Sequence, residues 1–382
     1  MSKLLDGIIV LDFAQYLAGP WAATKLADLG ARVIKIERPN GGDNSRRLML
    51  CNLVVDGDST VYHSMNRNKE SYTVNMRDKD ELEKVKKLIA KADVMIENFR
   101  PGIMDKIGLG YEDVKKINPK MIYASVSGYG STGPLVKKPG QDLIVQSMAG
   151  VPWLSGNHGE NPMPMGLAVA DMLTSMNVIE GILAALIGRS KTGEGARVEA
   201  SLLESAIDLQ FEPITTFFQN DNKLQDRSAV NNAHAYLAAP YGVYKTADGY
   251  MCVSMGSITQ LGELLECPKL CEYTNTDEWF ERRDEIKQIL ADHLMTGPTQ
   301  KWLDVLEPAD FWAGKVNTLA DVVADEALSA DMFQEVVRNN GTVIKTTRTP
   351  LRINGEPLFA SKGAPVLGED TDKINAEFGL LD

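Results

Sequence analysis

Residues 167–188 read LAVADMLTSMNVIEGILAALIG, an apolar stretch with an acidic residue, Asp171, near its head and Glu180 further along. A carboxylate held out of bulk water can attack a carbonyl or move a proton. The competing reading is a helix cap, in which the same oxygen accepts a first-turn N–H and contributes about 1 kcal/mol. By residue pattern alone the cap is favoured. Asp is a common N-cap, and Thr174 and Ser175 make this turn polar in any case.

Other reactive constellations fail on their surroundings. No G-x-S-x-G elbow occurs, and His63, His158, His234 and His293 lie outside any triad motif. SGYGSTG, residues 127–133, sets a G-x-G-x-x-G behind a strand, but Pro134 and Lys137-Lys138-Pro139-Gly140 follow it. A dinucleotide site needs a helix to start there, so the expectation is a glycine-rich loop and no nicotinamide or flavin. CPKLC, residues 267–271, has no second Cys or His pair at zinc spacing, so structural thiols and no metal are expected.

The basic residues are more informative. Arg38 closes a strand, with Arg46 and Arg47 soon after; Asn66-Arg67-Asn68-Lys69 adjoins another strand; Asn98-Phe99-Arg100-Pro101-Gly102 closes a third, with Lys106 beyond. Placed at the carboxyl ends of parallel strands, these groups would line a crevice suited to phosphates and a base.

The elements that must position these groups alternate. Residues 7–13, 32–37, 72–76, 93–98, 121–126 and 197–200 read as strands. Helices are expected over 20–29, from an Asp78/Glu81 capping box to about Lys91, and over 202–219. The pattern predicts an α/β fold whose parallel sheet is covered on both faces. The polar run 220–235 marks a boundary. The expected organisation is a large ligand-binding domain over 1–219, a linker and smaller α+β domain over 220–335, and a return to the large domain over 336–382. The smaller domain is expected to hold a hairpin through Asp248-Gly249 and helices from about Asp277 to Val337.

With 24% charged and 44% hydrophobic residues over 382 positions, the chain can bury a sizeable core. Its net charge of −12 argues against nucleic acid or an anionic membrane as main partner, while leaving room for an anionic ligand in a local basic cleft. No apolar run of about 20 residues is evident, the N-terminus lacks a signal-peptide layout, and cysteines number four. A reducing cytoplasm is the expected location.

The segments LDGIIVLDFAQYLAGP, LGARVIKIERP, NRNKES, ADVMIENFRPG, INPKMIYASVSGYGSTGP, KTGEGARVEASL and GAPVLGEDTD give the chain a family likeness. In that order it resembles the class III CoA-transferases, the group with formyl-CoA and carnitine CoA-transferases. The resemblance implies a Rossmann-like large domain, a smaller domain and an interlocked homodimer. It assigns Asp171 as nucleophile and implies that Ala18, Arg38, Val74, Asn75, Asn98, Phe99, Arg100 and Lys106 hold coenzyme A, present as acyl-CoA substrate. Leu17, Leu48, Gln141 and Asp142 would border the acyl group, with Asp142 assisting the exchange.

Departures bear on the substrate. Formyl-CoA transferases have glutamine where this chain has Leu17, tryptophan where it has Leu48, and a glycine tetrad with no counterpart here. Their tyrosine and lysine are replaced by Gln141 and Pro139. A less polar acyl group than formate or oxalate is therefore expected. A related branch of 2-methylacyl-CoA racemases sets a histidine beside an aspartate; Gln141-Asp142 stands there, and glutamine cannot move that proton. Racemase ranks second, and a catalytically silent CoA-binding homologue third. Transfer through Asp171 would need an ionised carboxylate with a pKa of about 4. It would also need N–H donors for the developing oxyanion, from residues 127–133 or the helix after Asp171.

Overall fold

The computed structural model describes residues 4–381. The chain forms two compact units. One runs up to Val145 and includes Ala168–Leu209 and the residues from Ser329 onward; the other comprises Gln146–Leu167 and Gln210–Leu328.

The first unit is built on six strands: β1 (Ile9–Asp12), β2 (Arg32–Glu37), β3 (Lys69–Thr73), β4 (Val94–Glu97), β5 (Ile122–Ser127) and β6 (Ala196–Ser201). All pairs are parallel, in the order β3-β2-β1-β4-β5-β6. The central strands are near-continuous apolar runs because both sheet faces are covered; Val10, Leu11, Ile34, Val94 and Ile96 have no exposed surface. Strand order reverses between β1 and β4, which opens a crevice at their carboxyl ends.

Helices of this chain include α1 (Ala18–Asp28), α2 (Lys79–Ile89), α3 (Asp142–Ala149), α4 (Val169–Thr192), α5 (Leu202–Asp208) and α6 (Phe211–Gln219). On α4, Ala170, Thr174, Val178 and Ile182 are buried at spacings of four, a stripe that packs toward α1, β5 and β6. By length and composition α4 is long and apolar enough to cross a membrane, so the expectation that no such run exists is corrected. Only a third of its apolar window is buried, and Met172, Met176 and Ile187 are exposed.

Several boundaries moved. β3 starts at Lys69, not at residue 72, because its pairing with β2 begins at Val33–Lys69. Asp78 caps α2 through the N–H groups of Asp80 and Glu81, but Glu81 turns to the Asn75 N–H, so no reciprocal capping box forms. The helix expected over 202–219 breaks between α5 and α6. Within the stretch expected to be helical up to Val337, Ala313–Lys315 and Phe333–Val337 are strands, and FQEVV shows the alternating burial of one. The second unit carries a three-stranded antiparallel sheet, Ala313–Lys315, Tyr250–Val253 and Gly242–Lys245, over a core that includes Tyr244, Met251, Ile286, Leu290 and Trp302.

Three of the basic residues do not line the crevice. Lys69 Nζ lies 2.8 Å from Asp12 Oδ2, and Lys35 Nζ lies 2.8 Å from Asp43 and 3.4 Å from Asp12. Arg67 pairs with Asp28 at 2.5 Å, and Arg46 with Glu37 at 2.8 Å and Asp58 at 2.9 Å. Arg46, Arg67 and Lys69 are buried. Residues 66–68 precede β3 and Lys69 opens it, so the segment sits at the strand's amino end, away from the ligand edge. Removing one member of such a network strands the other charges at a cost of several kcal/mol. Burial lowers the Lys69 pKa to about 8, opposed by Asp12. We predict that Asp12→Ala, which takes from Lys69 its carboxylate partner, destabilises the fold by about 3–5 kcal/mol in urea unfolding.

Candidate active site

Asp171 is the third residue of α4, not its cap. The N-cap is Ala168, which offers no side-chain acceptor. That role passes to Asp142, the first residue of α3: its Oδ1 accepts the N–H of Ala170 at 2.8 Å and of Asp171 at 3.2 Å. The N-cap reading of Asp171 is therefore overturned. These two N–H groups are also engaged and are not free to hold an oxyanion.

The Asp171 carboxyl is half-buried, and its pKa is pushed up to about 7, first by burial and then by the negative charge of Asp142. The expectation of a pKa of about 4 is corrected accordingly. First-turn amide dipoles pull the other way and favour the carboxylate.

Asp142 is delivered by the glycine-rich loop. A Cβ on Gly128 would lie 2.7 Å from the Gly140 Cα, and one on Gly140 2.5 Å from the Gly128 Cα. The two glycines close the loop on itself, and no helix begins until α3. Its Gly130 N–H is taken by Ser127 Oγ at 2.9 Å.

One turn beyond Asp171, the Ser175 hydroxyl is shared between the carbonyls of Ala18 at 2.7 Å and Asp171 at 2.8 Å. This ties the head of α1 to the head of α4 and brings the Ala18 carbonyl close to that of Asp171. The loop before α1 is fixed just as tightly. Asn98 Oδ1 accepts the Gln15 N–H at 2.8 Å, and its Nδ2 donates to the Gln15 carbonyl at 2.6 Å. Tyr16 is left-handed, with φ 64°, and its N–H is held by Asp43 Oδ1 at 3.1 Å. Arg38 donates to the Gly42 carbonyl at 2.9 Å and to Asn44 Oδ1, and Asn44 donates to Gln15 Oε1 at 2.8 Å. The Val74 N–H reaches the Glu37 carbonyl at 2.8 Å.

Thus Ala18, Arg38, Val74 and Asn98 gather at the carboxyl ends of β1 to β4. Phe99 is half-buried against the core, and its N–H donates to Glu97 Oε2 at 2.9 Å. With Arg100 it lines a cleft of about 490 Å³ that also takes in Glu97, Tyr123 and Arg197. Burial pushes the Glu97 carboxyl up to about 7. Leu48, Asn75, Arg100, Lys106 and Gln141 are exposed, Gln141 directly before Asp142. Sequence reasoning passed over Gln15, Asn44, Ser175 and Glu97. Only Ser175 carried a signal, its place one helical turn after Asp171.

The model of CoA-transferase family III matches residues 5–371. The chain belongs to this family. Among its relatives in the family, succinyl-CoA:glutarate CoA-transferase of Mus musculus is 34% identical over 384 residues, covering 98% of this chain and 86% of that protein. Acetyl-CoA:oxalate CoA-transferase of Acetobacter aceti is 32% identical over 382 residues, covering 98% and 95%. A CAIB/BAIF family protein from Brucella suis superposes with a TM-score of 0.86 at 33% identity, over 99% of this chain and 100% of that one. The likeness read from the motifs holds across the chain.

Asp142→Asn keeps an acceptor for the two α4 N–H groups but removes the charge. The Asp171 carboxyl, followed by 13C NMR, is expected to titrate below its midpoint of about 7 in that variant. Asp142→Ala should in addition cost about 1 kcal/mol of stability through the lost cap.

Because the folded-state pKa of Asp171 lies above its ordinary 3.8, the stability this group contributes is full below about pH 4 and lost by about pH 7. Asp171→Asn should therefore melt higher than the parent at pH 8, with the gap narrowing toward pH 4.

Proposed function

We propose that this protein moves CoA from an acyl-CoA donor to a carboxylic acid, with Asp171 as covalent carrier. The observation that carries the reading is a half-buried carboxylate, free of capping duty, at the head of α4 beside the uncapped head of α1. The relatives support it, since they are named for succinyl-CoA or acetyl-CoA as donor and glutarate or oxalate as acceptor.

In this reading an Asp171 oxygen attacks the thioester carbonyl, the C–S bond breaks, and CoA leaves as thiolate from a mixed anhydride. The thiolate then attacks the Asp171 carbonyl carbon and releases the donor acid, leaving an aspartyl-CoA thioester. The incoming carboxylate attacks that thioester and frees the thiolate again. Attack of the thiolate on the new acyl carbon yields the new acyl-CoA and restores Asp171. A carboxylate made more basic by burial and by Asp142 is a stronger nucleophile once ionised. A site partly closed to water protects both intermediates from hydrolysis.

Ala18, Arg38, Val74, Asn75, Asn98, Phe99, Arg100 and Lys106 are the groups we assign to the CoA handle, whose remote binding lowers the barrier at the carbonyl. Leu17, Leu48, Gln141 and Asp142 are assigned to the acyl side. A homodimer in the reducing cytoplasm completes the reading; all four cysteines are free thiols.

Exchange of a labelled acid into its thioester, measured with succinyl-CoA and a panel of acids, tests the proposal. Wild-type kcat/KM should climb about tenfold per pH unit and level off above pH 7, as Asp171 ionises. Asp171→Asn should lose at least ~10³-fold. Near-parental exchange in that variant, or solvent deuterium entering the α-carbon without any acceptor acid, would overturn it.

A further inference from the structure

Gln15 is locked through almost every polar atom it has. Its N–H and carbonyl are both held by the Asn98 amide, at 2.8 and 2.6 Å, and its Oε1 accepts from Asn44 Nδ2 at 2.8 Å. The direction of this chain is not arbitrary. Arg38 can only donate, so the Asn44 atom facing it must be the oxygen. That forces the Asn44 amino group toward Gln15, and the Gln15 oxygen toward Asn44. What remains of the Gln15 carboxamide is its Nε2, a donor with a fixed heading on a half-buried side chain.

The place of this donor matters. Gln15 follows β1 at the strand-order reversal and stands three residues before Ala18, whose carbonyl shares the Ser175 hydroxyl with the Asp171 carbonyl. The side chain of Leu17, two residues after Gln15, has no hydrogen to donate. Resting on the CoA-transfer reading above, we infer that Gln15 is a substrate-contacting, specificity-determining residue: its Nε2 donates to an oxygen of the acyl group, the carboxylate of the free acid and the carbonyl of its thioester. Arg38 then has a second effect. Through Asn44 it sets which end of the Gln15 amide faces the substrate.

Two variants test this in the full-length protein, with labelled succinate exchange for activity and calorimetry for coenzyme A binding. Gln15→Glu is close to isosteric but replaces the donor by an acceptor. Asn44→Asp acts at a distance: an aspartate accepts from Arg38 and has no amino group, so Gln15 must turn its own amino group inward and show oxygen to the substrate. Both should raise the KM for the acid about tenfold or more, with the Kd for coenzyme A within about twofold of the parent. Gln15→His, which keeps an N–H donor, should recover part of the loss.

An unchanged acid KM in Gln15→Glu overturns the inference. So does a rise in the coenzyme A Kd in step with the acid KM, since that marks a purely structural role. If the parent protein itself performs no exchange, the CoA-transfer reading fails instead, and the two failures are told apart.

Discussion

A single oxygen of Asp142 accepts two N–H groups at the head of α4, and the candidate chemistry depends on that contact. It supplies the cap that Ala168 cannot, so the first turn forms where Asp171 is wanted. It leaves the Asp171 side chain unspent. It also sets a negative charge beside a half-buried carboxyl, which with burial lifts that group into the neutral range. Stability and reactivity are thus coupled in one interaction, and an acceptor without charge would keep the first and change the second.

Behind the crevice, the charges that look available in the sequence are internal ties. Lys35 joins Asp12 to Asp43, and Asp43 in turn holds the left-handed Tyr16 N–H. Asn98 holds Gln15 from the neighbouring strand end. The loop leading into α1 is therefore fixed from the buried network on one side and from β4 on the other. Such strain at a non-glycine residue persists only where the surroundings over-determine it, and here they do.

Much of the large unit was legible because parallel strands buried on both faces leave runs such as IVLD and VMIE, which no surface element shows. The motifs carried the family, and with it Asp171. Long-range hydrogen bonding could not be read. Nothing near Asp171 announces that its helix is capped from 29 positions earlier, nor that Asn98 spends its amide on Gln15. Lys69 and Arg67 were placed on the wrong edge because a segment preceding a strand meets the amino end of the sheet. The break between α5 and α6 and the strands after residue 312 fell where local helix patterns yield to pairing.

The central claim is that Asp171 becomes covalently bonded to the transferred group during turnover. Incubating the protein with acyl-CoA, quenching with hydroxylamine or borohydride, and mapping the peptides by mass spectrometry measures this directly. The account predicts a hydroxamate or an alcohol at Asp171 that appears only with acyl-CoA. An Asp171 left unmodified while label exchanges between acid and thioester would contradict it.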